Sequence, residues 1–363
     1  MKKKLKDICT QVRGVSYKPS DLRDENSGLP ILRANNIQDT GIVLDELVYV
    51  DSSKVHSEQY LLTDDIVICA SSGSKNLVGK AATFKSDLSA SFGAFCKVVR
   101  INNSDDLCKA YIQQYFQSKI YRNAISESSA GANINNIKTE DIEALEIPLP
   151  SKEEQIKIAA ELDTIQSAID NKKQQLSLLD EAVKSEFVEM FANKNFPTQK
   201  WDSVFITKTG KLDSNAMVEG GKYPFFTCAK EIFSIDNYAF DQEALLLAGN
   251  NAAGKYDVKY YKGKFNAYQR TYVLSLKEAW SYRLFQFQLE DKLLYLKEQS
   301  KGINTKFLTL KILQELEFII PPKELQLKFE TFVQQIDKSK FVVKQQITDL
   351  QELLDSKMQE YFS

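Results

Sequence analysis

One histidine in 363 residues excludes more chemistry than any abundant residue suggests. With His56 alone, a multi-histidine metal site or a histidine acid–base pair has no material, and a Ser-His-Asp triad would rest on that single residue. Beside Ser57 and Glu58, His56 reads as a surface or capping residue. The five cysteines, Cys9, Cys69, Cys96, Cys108 and Cys228, are odd in number and scattered, with no C-x-x-C pair. Neither a zinc site nor a disulfide framework is indicated, so no metal is predicted on this chain. Only 14 Gly and 8 Pro argue against disorder, collagen and low-complexity arrays. No apolar run approaches the ~18 residues a membrane span needs. Met1-Lys2-Lys3-Lys4-Leu5 is followed by Lys6 and Asp7, where a signal peptide would have an apolar core. A cytoplasmic protein with no membrane partner is expected.

What is present suits a folded protein of two domains of roughly 150 residues each. The chain is 43% hydrophobic and 26% charged with mean hydropathy -0.34, so it can bury a large core. Self-similarity organises it. Residues 131 to 191 match 302 to 362 without a gap, at a shift of 171. Gly131 and Asn133 meet Gly302 and Asn304, and Leu145-Glu146-Ile147-Pro148-Leu149-Pro150 meets Leu316-Glu317-Phe318-Ile319-Ile320-Pro321. Lys152, Glu153, Gln155 and Lys157 then meet Lys323, Glu324, Gln326 and Lys328. The fronts match more weakly: Leu5, Ile8 and Gly14 correspond to Trp201, Val204 and Gly210 at a shift of 196, which leaves about 25 extra residues in the first half.

Each tail reads as one long helix. A proline closes a short apolar strand and suits the helix start, with Ser151 as N-cap and Glu154 three residues on. Apolar residues follow the 4,3 alternation of a coiled coil: Ile158, Leu162, Ile165, Ile169, Leu176, Leu179, Val183 and Met190. The second tail repeats it with Phe329, Val333, Ile336, Val343, Ile347, Leu350, Leu354 and Tyr361. From Glu153 to Met190 such a helix is about 57 Å long, more than one domain core needs. The two helices are expected to pair with each other, antiparallel. A two-helix seam would leave Ile156, Phe187, Leu325 and Phe332 poorly covered, which makes them candidates for contact with partner helices. The implied organisation is a module over 1–150, a helix over 151–193, a second module over 197–321 and a second helix over 322–363.

The fronts share one plan. Ile66-Val67-Ile68-Cys69-Ala70 is a buried-type strand ending in the polar loop Ser71 to Asn76, Phe95 to Val99 reads as another strand, and a helix follows around Leu107 to Ile120. In the second front Ala244 to Ala248 runs into Gly249-Asn250-Asn251-Ala252-Ala253-Gly254-Lys255, then alternating strands through Tyr261 and Thr271 to Leu274, and a helix near Ala279 to Gln299. Gly249 to Lys255 fits G-x-x-x-x-G-K, but Tyr256 stands where a phosphate loop needs Ser or Thr, and a strand pattern follows where a helix should begin. A DNA methyltransferase should show an aromatic-terminated Pro-Pro tetrapeptide, yet Pro321-Pro322 is followed by Lys323. Glu290-Asp291-Lys292 mimics a nuclease E-x-K but lies on an amphipathic helix. No catalytic constellation survives.

Charge becomes informative once divided. Residues 151–191 carry -4 and 322–363 carry -1, so a whole-chain charge of -2 leaves +3 on the fronts. Lys255, Lys259, Lys262, Lys264 and Arg270 oppose only Asp257 and interleave with Tyr256, Tyr260, Tyr261, Phe265 and Tyr268. Lys75, Lys80, Lys85, Lys97 and Arg100 oppose only Asp87. Lys and Arg position phosphates, and Asn, Gln and Arg make bidentate contacts to base edges. The candidate DNA-binding residues are therefore Lys75, Asn76, Asn133, Asn135 and Asn136 in the first module. In the second they are Asn250, Asn251, Lys255, Gln269, Arg270, Asn304 and Lys306.

A variable front, an L-E-I-P-L-P strand, then E-E-Q and a long heptad helix, all repeated once, resembles the specificity (S) subunit of type I restriction-modification systems. Gly131 to Gln155 and Gly302 to Gln326 with their helices carry the resemblance; the second copy departs from it at Leu325 and at Ile319-Ile320. The resemblance implies a mixed α+β chain: two α/β target recognition domains separated by an antiparallel coiled coil, with an internal pseudo-twofold repeat. It implies a non-catalytic subunit whose domains each read half of a bipartite, asymmetric site in double-stranded DNA. The helices would act as ruler and as docking surface for two modification (methyltransferase) subunits, and restriction subunits would join to translocate and cleave. No cofactor is expected on this chain; S-adenosylmethionine, ATP and Mg would belong to the partners. The rival reading is a structural coiled-coil adaptor that binds proteins only.

Overall fold

The computed structural model describes residues 1–38, 41–74, 76–128, 136–192, 194–302 and 304–363. The candidates Lys75, Asn133 and Asn135 lie outside the described residues. The chain divides into two compact units, Met1–Lys173 with Gln345–Ser363, and Gln174–Lys344. The expected organisation gave each helix a segment of its own, whereas the unit boundary falls inside both helices.

The helices span Lys152–Phe191 and Lys323–Phe362, 40 residues each and offset by the same 171 as the sequence repeat. Ser151 caps the first: its Oγ accepts the Glu154 N–H at 3.3 Å. In unit 1, Ile158, Leu162, Ile165 and Ile169 share a core with Leu354, Met358 and Phe362, and the Tyr361 hydroxyl donates to Glu161 Oε2 at 2.7 Å. In unit 2, Val183, Met190 and Phe191 pack with Phe329 and Val333. Lys340 pairs with Asp180 at 2.5 Å. In unit 2 Asp180 meets Lys340 and Phe187 meets Phe329, so the partner number falls as the first helix advances and the segments run antiparallel.

The modules are built on one topology. In unit 1 an antiparallel sheet orders Cys9–Arg13, Cys96–Ile101, Ile66–Cys69 and Ala81–Thr83. In unit 2 the order is Phe205–Thr209, Thr271–Leu276, Phe240–Ala248 and Val258–Ala267. A parallel pairing follows in both: Leu29–Leu32 on Ser91–Phe92, and Tyr223–Phe226 on the end of Val258–Ala267. What is one strand in unit 2 is two short strands in unit 1, and the first module holds extra residues before it. The offset between equivalent residues falls from 194 at Ile31 and Phe225 to 179 at Cys69 and Ala248. It reaches 175 at Cys96 and Thr271.

Both predicted module helices are broken in two. Lys109–Gln117 and Lys119–Ser128 meet at the buried Ser118, whose Oγ accepts from Tyr121 N–H and donates to the Tyr115 carbonyl. Tyr282–Asp291 and Leu293–Gln299 meet at Lys292. Each module is bolted to its long helix by a buried glutamine. Gln155 accepts the Cys108 N–H at 2.9 Å and donates to the Asp106 and Pro150 carbonyls at 2.9 and 3.0 Å. Gln326, 171 residues on, accepts the Ser281 N–H at 3.1 Å and donates to the Pro321 carbonyl at 2.8 Å. Both amides sit below 4% exposure, where unmet backbone groups would be costly.

Candidate nucleic-acid interface

In unit 2 three segments converge where the strand Phe240–Ala248 ends. The Gly249 N–H donates to the Arg270 carbonyl at 2.9 Å, and the Gly249 carbonyl accepts from the Leu308 N–H at 2.8 Å. Asn250 and Asn251 pair antiparallel with Phe307 and Lys306. Six of the candidates, Asn250, Asn251, Lys255, Gln269, Arg270 and Lys306, thereby share one surface, with Asn304 two residues before Lys306. Lys255, Gln269, Arg270 and Asn304 are exposed; Asn250, Asn251 and Lys306 are half-buried.

The loop holds itself. Asn251 Oδ1 accepts the Ala253 and Lys255 N–H groups at 2.9 and 3.1 Å, and Gly254 takes the left-handed turn at φ +67°. Tyr256 is buried in the module core and anchors the loop. The chain then enters the strand Val258–Ala267. A phosphate loop would open a helix here, so this loop is a braced platform for side chains. Because its carbonyl oxygen is committed, Asn251 serves the loop first.

Unit 1 repeats the frame. The Ala70 and Ser71 N–H groups donate to the Phe95 carbonyl at 2.9 and 3.0 Å, and Ile137 N–H donates to the Ala70 carbonyl at 2.8 Å. Ser71 bridges to Asn136 as Asn250 does to Phe307. Arg122 braces the loop, donating to the Val78 and Asn76 carbonyls at 2.9 and 3.1 Å. Asn76 and Asn136 are exposed on this surface, and Phe95 stands out at 69% exposure. Sequence reasoning missed Phe95 and Arg122: a search for cations and amides passes over a lone phenylalanine, and it put Phe95 inside a strand that begins at Cys96.

The basic stripes of the strands do not add to these surfaces as their charge suggests. Lys259 pairs with Asp257 and donates to the Ala229 carbonyl, and Lys262 pairs with Glu243 at 3.1 Å. Lys97 donates to Thr139 Oγ1 at 2.8 Å, and its ammonium pKa is lowered, first by burial and then by nearby Arg13. Arg100 grips Asp65 at 2.7 Å. Tyr260 donates to Glu243 at 2.7 Å under the Arg283 guanidinium; burial and the Glu243 carboxylate push its phenol up to about 12. These cations lock the sheet, and Lys255 and Arg270 remain exposed at the loop surface.

A cleft of about 970 Å³ in unit 1 runs beside the loop, lined by Gln113, Gln117, Lys80, Asp163, Asp170 and Asp355 among others. Its lining mixes Asp163, Asp170 and Asp355 with Lys80, Lys85, Arg122 and Lys173, so its charge does not by itself mark a phosphate-binding face.

On the helices, the expected poor cover does not hold for Phe187: its ring lies 4.5 Å from that of Phe287 on the module helix and 5.8 Å from Phe329. Leu325 and Phe332 join the same core as half-buried members. Ile156 is 50% exposed, and Phe341, at 72%, and Val342 were not foreseen. Like Ile156, Phe341 and Val342 fall off the heptad seam.

Comparison with known proteins agrees with this architecture. The family described as Type I restriction modification DNA specificity domain matches residues 1–181 and again 193–352. The StySPI type I restriction enzyme specificity subunit of Salmonella potsdam is 41% identical over 179 residues, 49% of this chain and 38% of that one. The EcoKI specificity subunit of Escherichia coli is 40% identical over 181 residues, with the same shares. The chain thus spans well under half the length of these curated relatives. Among solved structures, the type I S subunit of M. genitalium covers the whole chain and 96% of its own, with TM-score 0.58 at 15% identity. A chain from a study of type I R-M complex assembly gives 0.52 at 17%, covering 99% and 97%. With the domain matched twice and the same frame built twice, the chain belongs to the family of type I restriction modification DNA specificity domains.

Proposed function

We propose that this chain is the sequence-reading, non-catalytic subunit of a type I restriction-modification complex. Each module reads one half of a bipartite site in duplex DNA, and partner subunits methylate adenine or cleave. The observation that carries this reading is the duplicated loop frame: one set of backbone hydrogen bonds presents Asn76, Asn136 and Phe95 in unit 1, and Asn250, Lys255, Gln269, Arg270, Asn304 and Lys306 in unit 2. Fixed backbone with changed side chains is what two readers of different half-sites require. Lys75, Asn133 and Asn135 belong to the same proposed set.

The helices serve as ruler and as docking surface for two modification subunits, with restriction subunits joining. Exposed apolar side chains at Ile156, Leu327, Phe341 and Val342 support protein contact there. S-adenosylmethionine, ATP and Mg act on those partners. The modest +3 of the fronts makes binding by this chain alone weak and salt-dependent, with partners supplying further phosphate contacts. No helix among the described residues is long and apolar enough to cross a membrane.

The test is to map adenine methylation genome-wide in cells expressing this chain with its methyltransferase partner. A bipartite recognition sequence is expected, and lengthening both helices should widen its spacer. Absence of duplex binding at any salt concentration, with partners present, would leave a coiled-coil adaptor as the better reading.

A further inference from the structure

The loop frames assign equivalent residues by hydrogen bonds where sequence alignment drifts. Ala94 N–H donates to the Val15 carbonyl at 3.0 Å and Gln269 N–H to Leu212 at 2.9 Å. Cys96 N–H closes its turn on Gly93, and Thr271 N–H on Tyr268, both at 2.8 Å. Phe95 therefore occupies the position of Arg270. By the same logic Asn136, bridged to Ser71, occupies that of Phe307, paired with Asn250. Unit 1 presents phenylalanine at the turn and asparagine on the neighbouring strand; unit 2 presents arginine at the turn and phenylalanine, 39% exposed, on the strand.

Each surface thus carries one exposed phenyl ring and one hydrogen-bonding side chain, in exchanged places. The backbone leaves little else for these side chains to do. The carbonyls of Phe95 and Arg270 hold the strand ends beneath them, so the turn keeps its shape whatever side chain it bears. A phenyl ring at 69% exposure on a braced turn contributes little to the core and forfeits the gain of burial.

We infer that the turn position 95/270 and the strand position 136/307 are the specificity-determining pair of each module. Phe95 and Phe307 make the apolar contact that accepts a thymine methyl. Arg270 and Asn136 make the bidentate contacts, Arg270 to guanine and Asn136 to adenine. The order of apolar and polar readers along the base pairs is then opposite in the two half-sites. The inference rests on the DNA-reading function proposed above and adds which positions choose the base.

The experiment maps methylated sites for the full chain with its methyltransferase partner, comparing wild type with Phe95→Ala, Phe95→Arg, Arg270→Ala and Arg270→Phe. Both positions of substitution are exposed, and a melting temperature within 2 °C of wild type (roughly what surface substitutions give) confirms the fold. Phe95→Ala should relax one base pair of one half-site, losing roughly tenfold in discrimination. Phe95→Arg should move that position towards guanine, and the Arg270 variants should do the converse in the other half-site only. Wild-type recognition sequences retained in Phe95→Ala and Arg270→Ala would overturn the assignment. So would a uniform loss of methylation with an unchanged recognition sequence, the mark of a phosphate contact. Failure of the wild type to give a bipartite sequence would instead overturn the underlying reading of the chain as a DNA reader.

Discussion

The two modules hold their loop surfaces with the same backbone hydrogen bonds and fill them with different side chains. Ala70 and Gly249 each donate to the turn and accept from the segment just before the short helix Thr139–Glu143 or Leu310–Gln314, at distances between 2.8 and 2.9 Å. Around them Phe95 stands for Arg270, Asn136 for Phe307 and Ser71 for Asn250. The helices differ in the same manner. At the unit 1 end Glu161 is held by Tyr361 at 2.7 Å and Lys357 at 3.3 Å. The residue equivalent to Glu161 at a shift of 171 is Phe332, and the unit 2 end is a cluster of Phe187, Phe191, Phe329 and Phe332. Backbone geometry is what the duplication kept; surface chemistry and the means of closing the helix pair are what diverged.

If the frame is common property, its glycines must be intolerant in both copies. An added Cβ would overlap the Gly93 carbonyl at Gly14 and the Ala267 carbonyl at Gly210. Gly14→Ala and Gly210→Ala should each destabilise by about 3 kcal/mol, while Gly73→Ala, which meets nothing within 4 Å, should stay within about 0.5 kcal/mol. Chemical denaturation measures all three. Tolerance at one glycine and not the other would break the equivalence of the frames.

The glutamine bolts sharpen it next. Gln155→Leu strands one N–H and two carbonyls, and Gln326→Leu one of each. Losses of about 3 and about 2 kcal/mol should follow in that order; equal or reversed losses would mean that the bolts do not act through the bonds described. Tyr260→Phe, which removes only the bond to Glu243, should cost about 1 kcal/mol. Comparison of its urea midpoint with that of wild type reads this directly.

The smallest effect is a pH dependence confined to the unit 1 end. Hydrogen bonds from Tyr361 and Lys357 hold the Glu161 carboxyl below its ordinary value of 4.5. A depressed folded-state pKa gives stability that is present above 4.5 and is lost as pH falls through the depressed value. Glu161→Gln should therefore flatten the acid limb of the stability curve by lowering stability at pH 7, and should approach wild type below the depressed value. An unchanged acid limb would show that this cluster is not linked to folding.

The long helices were legible in the sequence because two independent signals, an ungapped repeat and a heptad pattern, agreed over 40 residues. The strands flanking the loops were legible as buried apolar runs. Sheet order was not, since the parallel pairing of Leu29–Leu32 with Ser91–Phe92 joins segments far apart in sequence. The helix breaks at Ser118 and Lys292 escaped notice because neither a proline nor a glycine marks them. The unit 2 candidates stood out in the sequence as amides and cations clustered after a strand, and the fold brings six of them to one surface. Lys259 and Lys97 show the limit of reading charge: in the fold each serves a neighbour in its own module. Phe95 could be matched to Arg270 only through hydrogen bonds, because the offset there is 175, between the shifts of 196 and 171 that sequence comparison supplies.

The central claim, that each module reads its own half-site, is tested most directly by replacing residues 1–150 with the first module of another specificity subunit and mapping methylated adenines. The account predicts a recognition sequence altered in one half, with the other half and the spacer kept. A change in both halves, or in neither, would contradict it.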